Sequence, residues 1–227
     1  MRQLSLTIAL VVSSLSAPIQ AQTPAEITVY TVAYVEVMSS AGSITRAALT
    51  RYRDASRRED GYGAIDLFEQ IGRPGHFVIV EGWRDQGALD AHATAVHLKA
   101  FHDGLQAVRV SGYDQRPYKT FTVAPATGAA DGQAVSVVTH VDIGGPFPDA
   151  PGLLRKLAEA SRLEAGCLRF DILQHSMRAN HYTVIEVWRN QQALDAHAAA
   201  PHTRDYRDKL QPMTGSPLDE RVYIAAG

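Results

Sequence analysis

The chain has 227 residues, of which 45% are hydrophobic and 20% charged, with a formal net charge of −2 at neutral pH. Those proportions describe a globular protein able to bury a core, and the near-zero charge gives no electrostatic case for nucleic acid or an anionic membrane as partner. A single cysteine, Cys167, excludes an intramolecular disulfide and reads as a small buried hydrophobe.

The first residues stand apart. Arg2 precedes the apolar run Leu4 to Val12, a Ser-rich shoulder and small residues ending at Ala21. The pattern resembles a secretory signal peptide over residues 1–21, too short to span a bilayer comfortably. The expectation is a secreted or periplasmic protein with no membrane insertion after cleavage.

From Val29 to Val37 apolar residues alternate with Tyr30, Tyr34 and Glu36, the period of a strand. A helix is predicted from Ile44 to Arg58, a turn at Gly61 and a strand from Ala64 to Gln70. After the Gly72–Gly75 turn come a strand from Phe77 to Trp83, an N-cap at Asp85, a helix opening on Ala-Leu-Asp-Ala-His, and a strand from Tyr113 to Val123. Pro and Gly then mark a linker over 125–133.

Beyond the linker the same order returns, with Asn190 in the cap position that Asp85 holds in the first copy. EGWRDQGALDAHATAVH at 81–97 reappears as EVWRNQQALDAHAAAPH at 186–202, with 12 of 17 positions identical and a constant displacement of 105 residues. A period that long means two copies of a small domain, 26–124 and 134–225. The order β-α-β-β-α-β predicts an α+β, ferredoxin-like repeat with both helices on one sheet face. The bare faces are expected to pack sheet to sheet as an intramolecular pseudo-dimer, with further oligomerisation left open.

Glu81 and Trp83 share one strand face, as do Glu186 and Trp188. Each carboxylate is either a proton-handling group among aromatics or one satisfied by a neighbour. Each Trp is either a platform for a planar ligand or a core aromatic. His92 and His97, like His197 and His202, are five residues apart, about 140° around a regular helix. They are therefore expected to point apart and to form no metal pair, although Pro201 breaks the second helix. His92 and His197 are either backbone-satisfied or candidate bases. No convincing phosphate loop is present, so no cofactor is expected.

The pattern E-x-W-x-[DN]-x-x-A-L-D-A-H-x-x-x-x-H, with the preceding Glu-Asp-Gly61 and Glu-Ala-Gly166-Cys167 turns, resembles the antibiotic biosynthesis monooxygenase family, whose fold is the dimeric α+β barrel. The resemblance covers both copies. It implies cofactor-independent oxidation of an electron-rich aromatic, a phenol or quinol, by O₂. On that reading His92 and His197 are bases, Trp83 and Trp188 platforms, and Tyr34, His140, Glu81, Glu186, His97 and His202 binding groups. Two departures stand out. His102 matches the haem-ligand position of haem-degrading relatives, but its counterpart is Arg207, and Ile79 and Val184 replace an Asn of the polyketide oxygenases. The alternative is a non-catalytic module of the same fold that binds an aromatic or haem-like ligand.

Overall fold

The computed structural model describes residues 26–227. The expected signal segment, 1–21, lies outside the described residues. Eight strands and six α-helices follow in chain order: β1 (Val29–Glu36), α1 (Gly42–Ser56), β2 (Tyr62–Gln70), β3 (His76–Trp83), α2 (Gln86–Ala93), α3 (Val96–Leu105) and β4 (Asp114–Thr122). The second repeat supplies β5 (Val135–Asp142), α4 (Ala150–Ser161), β6 (Cys167–His175), β7 (His181–Trp188), α5 (Gln191–Ala199), α6 (Pro201–Leu210) and β8 (Asp219–Ala225).

The strands close into one antiparallel barrel in the order β1-β3-β2-β8-β5-β7-β6-β4. The last strand of each repeat makes the closure. β4 pairs with β1 of its own repeat and with β6 of the other, placing Tyr118 opposite His175. β8 pairs with β5 and crosses to β2, placing Gln70 opposite Tyr223. The two sheets thus face each other and are also stitched edge to edge, which removes free strand edges that invite aggregation.

Alternation along the strands sorts side chains into three layers. Tyr30, Val32, Val78, Val80, Val138, Leu173, Ile185 and Tyr223 fill the barrel interior. The opposite faces meet helices: Ala33, Val35, Phe77, Ile79 and Trp83 pack on Leu49, Tyr52, Phe101 and Leu105 in the first repeat. Phe170, Ile172, Val184 and Trp188 pack on Leu154, Leu157, Tyr206 and Leu210 in the second. Each such side chain contributes about 1.5–3 kcal/mol on full burial. One ion cluster ties the halves together: Arg169 of β6 reaches Asp66 of β2 and Asp171, both at 2.5 Å. Among the described residues no helix is long and apolar enough to cross a membrane.

Local chemistry sets the helix ends that carry function. Asp85 accepts from the Ala88 amide at 2.8 Å, and Asn190 from the Ala193 amide at 3.0 Å, so both short helices start on the expected caps. Both then break. Ala95 and Ala200 are extended, at φ −67°, ψ 137° and φ −65°, ψ 142°, although only the second break is followed by a proline. In the first repeat the Thr94 hydroxyl bonds the Ala91 carbonyl at 2.9 Å and ends α2 without one.

Candidate functional site

The break between α2 and α3 overturns the regular-helix premise. Because the chain turns at Ala95, His92 and His97 converge, with ring centroids 5.8 Å apart, and both meet Glu59. Glu59 Oε1 lies 2.8 Å from His92 Nδ1 and 3.0 Å from His97 Nε2. Its position depends on Gly61, whose φ of 77° suits glycine and where a Cβ would come within 2.5 Å of the Ala88 Cβ. The second repeat copies this with Gly166 at φ 94°, and Glu164 Oε1 lies 2.6 Å from His197 Nδ1 and 2.9 Å from His202 Nε2.

Behind each triad sits a carboxylate on the sheet. Glu81 is fully buried and accepts from Thr31 Oγ1 at 2.9 Å and from the Tyr52 hydroxyl. The same hydroxyl is 2.7 Å from His92 Nε2. A continuous chain therefore runs Thr31, Glu81, Tyr52, His92, Glu59, His97. Tyr52 brings one hydrogen to two contacts, so one further proton completes them. That proton sits on His92 Nε2 with Glu81 ionised, or on Glu81 with Tyr52 donating to His92. Burial, then the charge of Glu81, pushes the Tyr52 pKa up, so its hydroxyl passes a proton on and does not give one up.

The second repeat lacks this link. Leu157 stands where Tyr52 does, and Val137, opposite Glu186, stands where Thr31 does. Glu186 takes the indole N–H of Trp188 at 2.8 Å instead, and His197 Nε2 remains 3.7 Å away. Burial pushes the Glu186 carboxyl up to about 8, against the lowering effect of that N–H, and burial lowers the pKa of His197. With Glu81 committed to Thr31 and Tyr52, the buried Trp83 indole nitrogen finds no partner among the described residues.

Trp83 and Trp188 are each 0% exposed and stacked on His92 and His197, with centroids 4.4 and 4.5 Å apart. They hold the imidazoles and present no open platform, which corrects that expectation: the helices cover the sheet face that carries them. Tyr34 and His140 are not with these clusters. By strand parity they lie on the interior face, where the Tyr34 hydroxyl meets His140 Nε2 at 2.6 Å beside Arg116. They line a separate cavity of about 510 Å³ together with Arg116, Asp219 and Arg221. Burial pushes the His140 imidazole down to about 4. His102 packs on Tyr113 at 4.5 Å, apart from the triad. Cys167 is buried, its thiol pushed up to about 12 by burial.

Access comes between helices. A cleft of about 350 Å³ between α1 and α3 has an apolar wall of Ile44, Ala48, Phe101, Leu105 and Val108, with Tyr52 and His97 also on its lining. The corresponding cleft between α4 and α6, about 620 Å³, is lined by His202 and Tyr206 among others and has Lys156 and Lys209 at its rim.

Residues 28–104 and 151–209 match the antibiotic biosynthesis monooxygenase family. The chain belongs to that family. YcnE of Bacillus subtilis, provisionally named a monooxygenase, is 39% identical over 46 residues, 20% of this chain and 48% of YcnE. An isomerase of (4S)-4-hydroxy-5-phosphonooxypentane-2,3-dione from Klebsiella pneumoniae is 32% identical over 66 residues, 29% of this chain and 67% of the isomerase. The chain spans about half the length of the first curated relatives it matches. A provisionally named monooxygenase from Fusobacterium nucleatum superposes at a TM-score of 0.79 over 88% of this chain and 93% of its own, with 15% identity, a likeness of fold. That span covers both repeats, so this antibiotic biosynthesis monooxygenase chain carries within itself the two halves of a dimeric α+β barrel.

Tyr52 and Glu59 are the members that sequence reasoning missed. Tyr52 falls inside the predicted helix from Ile44 to Arg58 with nothing to single it out, and Glu59 is part of the Glu-Asp-Gly61 turn. The constant displacement that pairs Glu59 with Glu164 was the available signal.

Proposed function

We propose that the first repeat is a cofactor-independent oxygenase site for a small electron-rich phenol or quinol, in a protein secreted or held in the periplasm. One observation carries the reading: a buried hydrogen-bonded network of Glu81, Tyr52 and His92 that can gain or release one shared proton, two of whose wider members, Tyr52 and His97, line an apolar cleft. Without its extra proton the network leaves the Tyr52 oxygen facing an unprotonated His92 nitrogen at 2.7 Å. The site is thereby a base, able to take a phenolic proton through Tyr52 while the tyrosine's own proton passes to Glu81 or His92.

The phenolate left in the cleft gives one electron to O₂. The radical pair combines to form a C–O bond, the resulting peroxide anion takes back the proton held by the network, and loss of water from the hydroperoxide leaves a quinone. The apolar wall shields the charged intermediates from solvent. In the second repeat Leu157 interrupts the relay, so turnover belongs to the first.

Proton transfer without oxygen is a second reading, favoured by the relay itself and by the Klebsiella isomerase: a carbon-bound proton is removed and returned to the neighbouring carbon. Oxygen uptake with a panel of quinols, and product analysis of hydroxyketones under anaerobic conditions, separate the two. Quinol-dependent oxygen consumption lost in Tyr52→Phe supports oxygenation. Ligand binding with neither turnover leaves a non-catalytic binding module.

A further inference from the structure

The two Glu-His-His triads carry a second consequence that does not depend on the proposed reaction. In each repeat the two imidazole nitrogens and one carboxylate oxygen lie within 4.8 Å of one another. Two imidazoles and a carboxylate are the donor set of a zinc-class ion that keeps a fourth position for water. Ligand atoms bound at about 2.0–2.1 Å around such an ion are separated by little more than the present hydrogen-bond distances. Access exists on one side only: His92 is buried, while the side chains of His97 and Glu59 are 27% and 20% exposed.

The outer partners fit as well. An ion at His92 Nδ1 fixes the tautomer with a proton on Nε2, which then donates to the Tyr52 oxygen. Tyr52 in turn donates to Glu81, which stays ionised. Both contacts of the Tyr52 hydroxyl then carry one hydrogen each, and an imidazole held from behind by a hydrogen-bonded carboxylate system is how metal-binding histidines are commonly oriented. The triad also recurs in the second repeat, although its surroundings differ at Tyr52 and Leu157 and at His102 and Arg207.

We propose that Glu59, His92 and His97, and their repeats Glu164, His197 and His202, are two binding sites for a divalent transition ion of the zinc class. Occupancy in the first repeat fixes the relay proton on His92, so the ion-bound form lacks the base of the proposed reaction, which belongs to the ion-free form.

The test is titration of the untagged full chain with Co²⁺, read by its visible d–d absorption, and with Zn²⁺ by calorimetry. Two ions per chain are expected. His97→Gln and His202→Gln should each lower the stoichiometry from two ions to one, and the double variant should bind neither. Tyr52→Phe, which touches no ligand atom, should weaken only the first site, by ~10-fold. Circular dichroism and melting establish that each variant is folded. If a histidine variant unfolds, the Tyr52→Phe titration decides for the first site, and Glu164→Gln for the second. No binding, or binding that survives the double variant, overturns the proposal; each triad is then a carboxylate clamping two imidazole N–H groups. Loss of one ion with only one variant overturns it for the other repeat.

Discussion

Tyr52 and Leu157 occupy the same place in the two repeats, and only Tyr52 joins a buried carboxylate to a buried imidazole. A single hydroxyl therefore separates a connected proton network from an interrupted one. Tyr52→Phe keeps the stack on Phe101, at 4.8 Å, and removes only that oxygen. Turnover should fall by about 10² to 10⁴-fold, with a stability loss of about 1–3 kcal/mol from the partners left unpaired. Leu157→Met should leave turnover unchanged. Steady-state rates beside urea denaturation check both, and a fully active Tyr52→Phe enzyme removes the relay from the mechanism.

Much of this was legible in the chain. The repeat, the β-α-β-β-α-β order and the caps at Asp85 and Asn190 follow from periodicity and local hydrogen bonding. The pairing of Tyr52 with Glu81 was not, because it joins a helix to a strand 29 residues on, and nothing in a helical stripe says which aromatic has a buried acceptor above it. The convergence of His92 on His97 was hidden for a different reason. The helix break at Ala95 rests on a threonine hydroxyl, where the sequence shows no glycine or proline. Strand alternation gives two faces without saying which one meets the helices, so the separation of Tyr34 and His140 from the two triads was not legible either.

Glu186 makes stability depend on pH with a definite sign. Its folded pKa of about 8 lies above the usual 4.5, so the folded chain keeps a proton that the unfolded chain releases. Its contribution is complete below about pH 4.5, shrinks as pH rises toward 8 and is constant above that. Glu186→Gln cannot titrate. The stability of the wild type relative to this variant should therefore decline across the window, measured by urea denaturation at several pH values; a flat difference refutes the assignment.

Arg169 is held between two carboxylates from different repeats. Arg169→Leu leaves Asp66 and Asp171 facing each other without the cation and should cost about 3–5 kcal/mol. Adding Asp66→Asn and Asp171→Asn should recover part of that loss. A triple variant no more stable than the single one would show that packing, not charge, is what Arg169 supplies.

Because β4 and β8 each close the barrel across the repeat boundary, half a chain has unpaired edges. A protein ending near Ala126 should fold only as a homodimer, with β4 of each copy laid on β2 of the other. Analytical ultracentrifugation reads the mass; a stable, cooperatively folding monomer would contradict the architecture.

The closure of two repeats in one chain also has a genetic meaning. In a homodimer any codon change alters both halves at once, so a residue useful in one site and harmful in its twin has no way to be kept. Here the halves are inherited as separate stretches of one gene that share a barrel. One can lose its hydroxyl at Leu157 while the other retains Tyr52, and the two sites are free to take up different tasks.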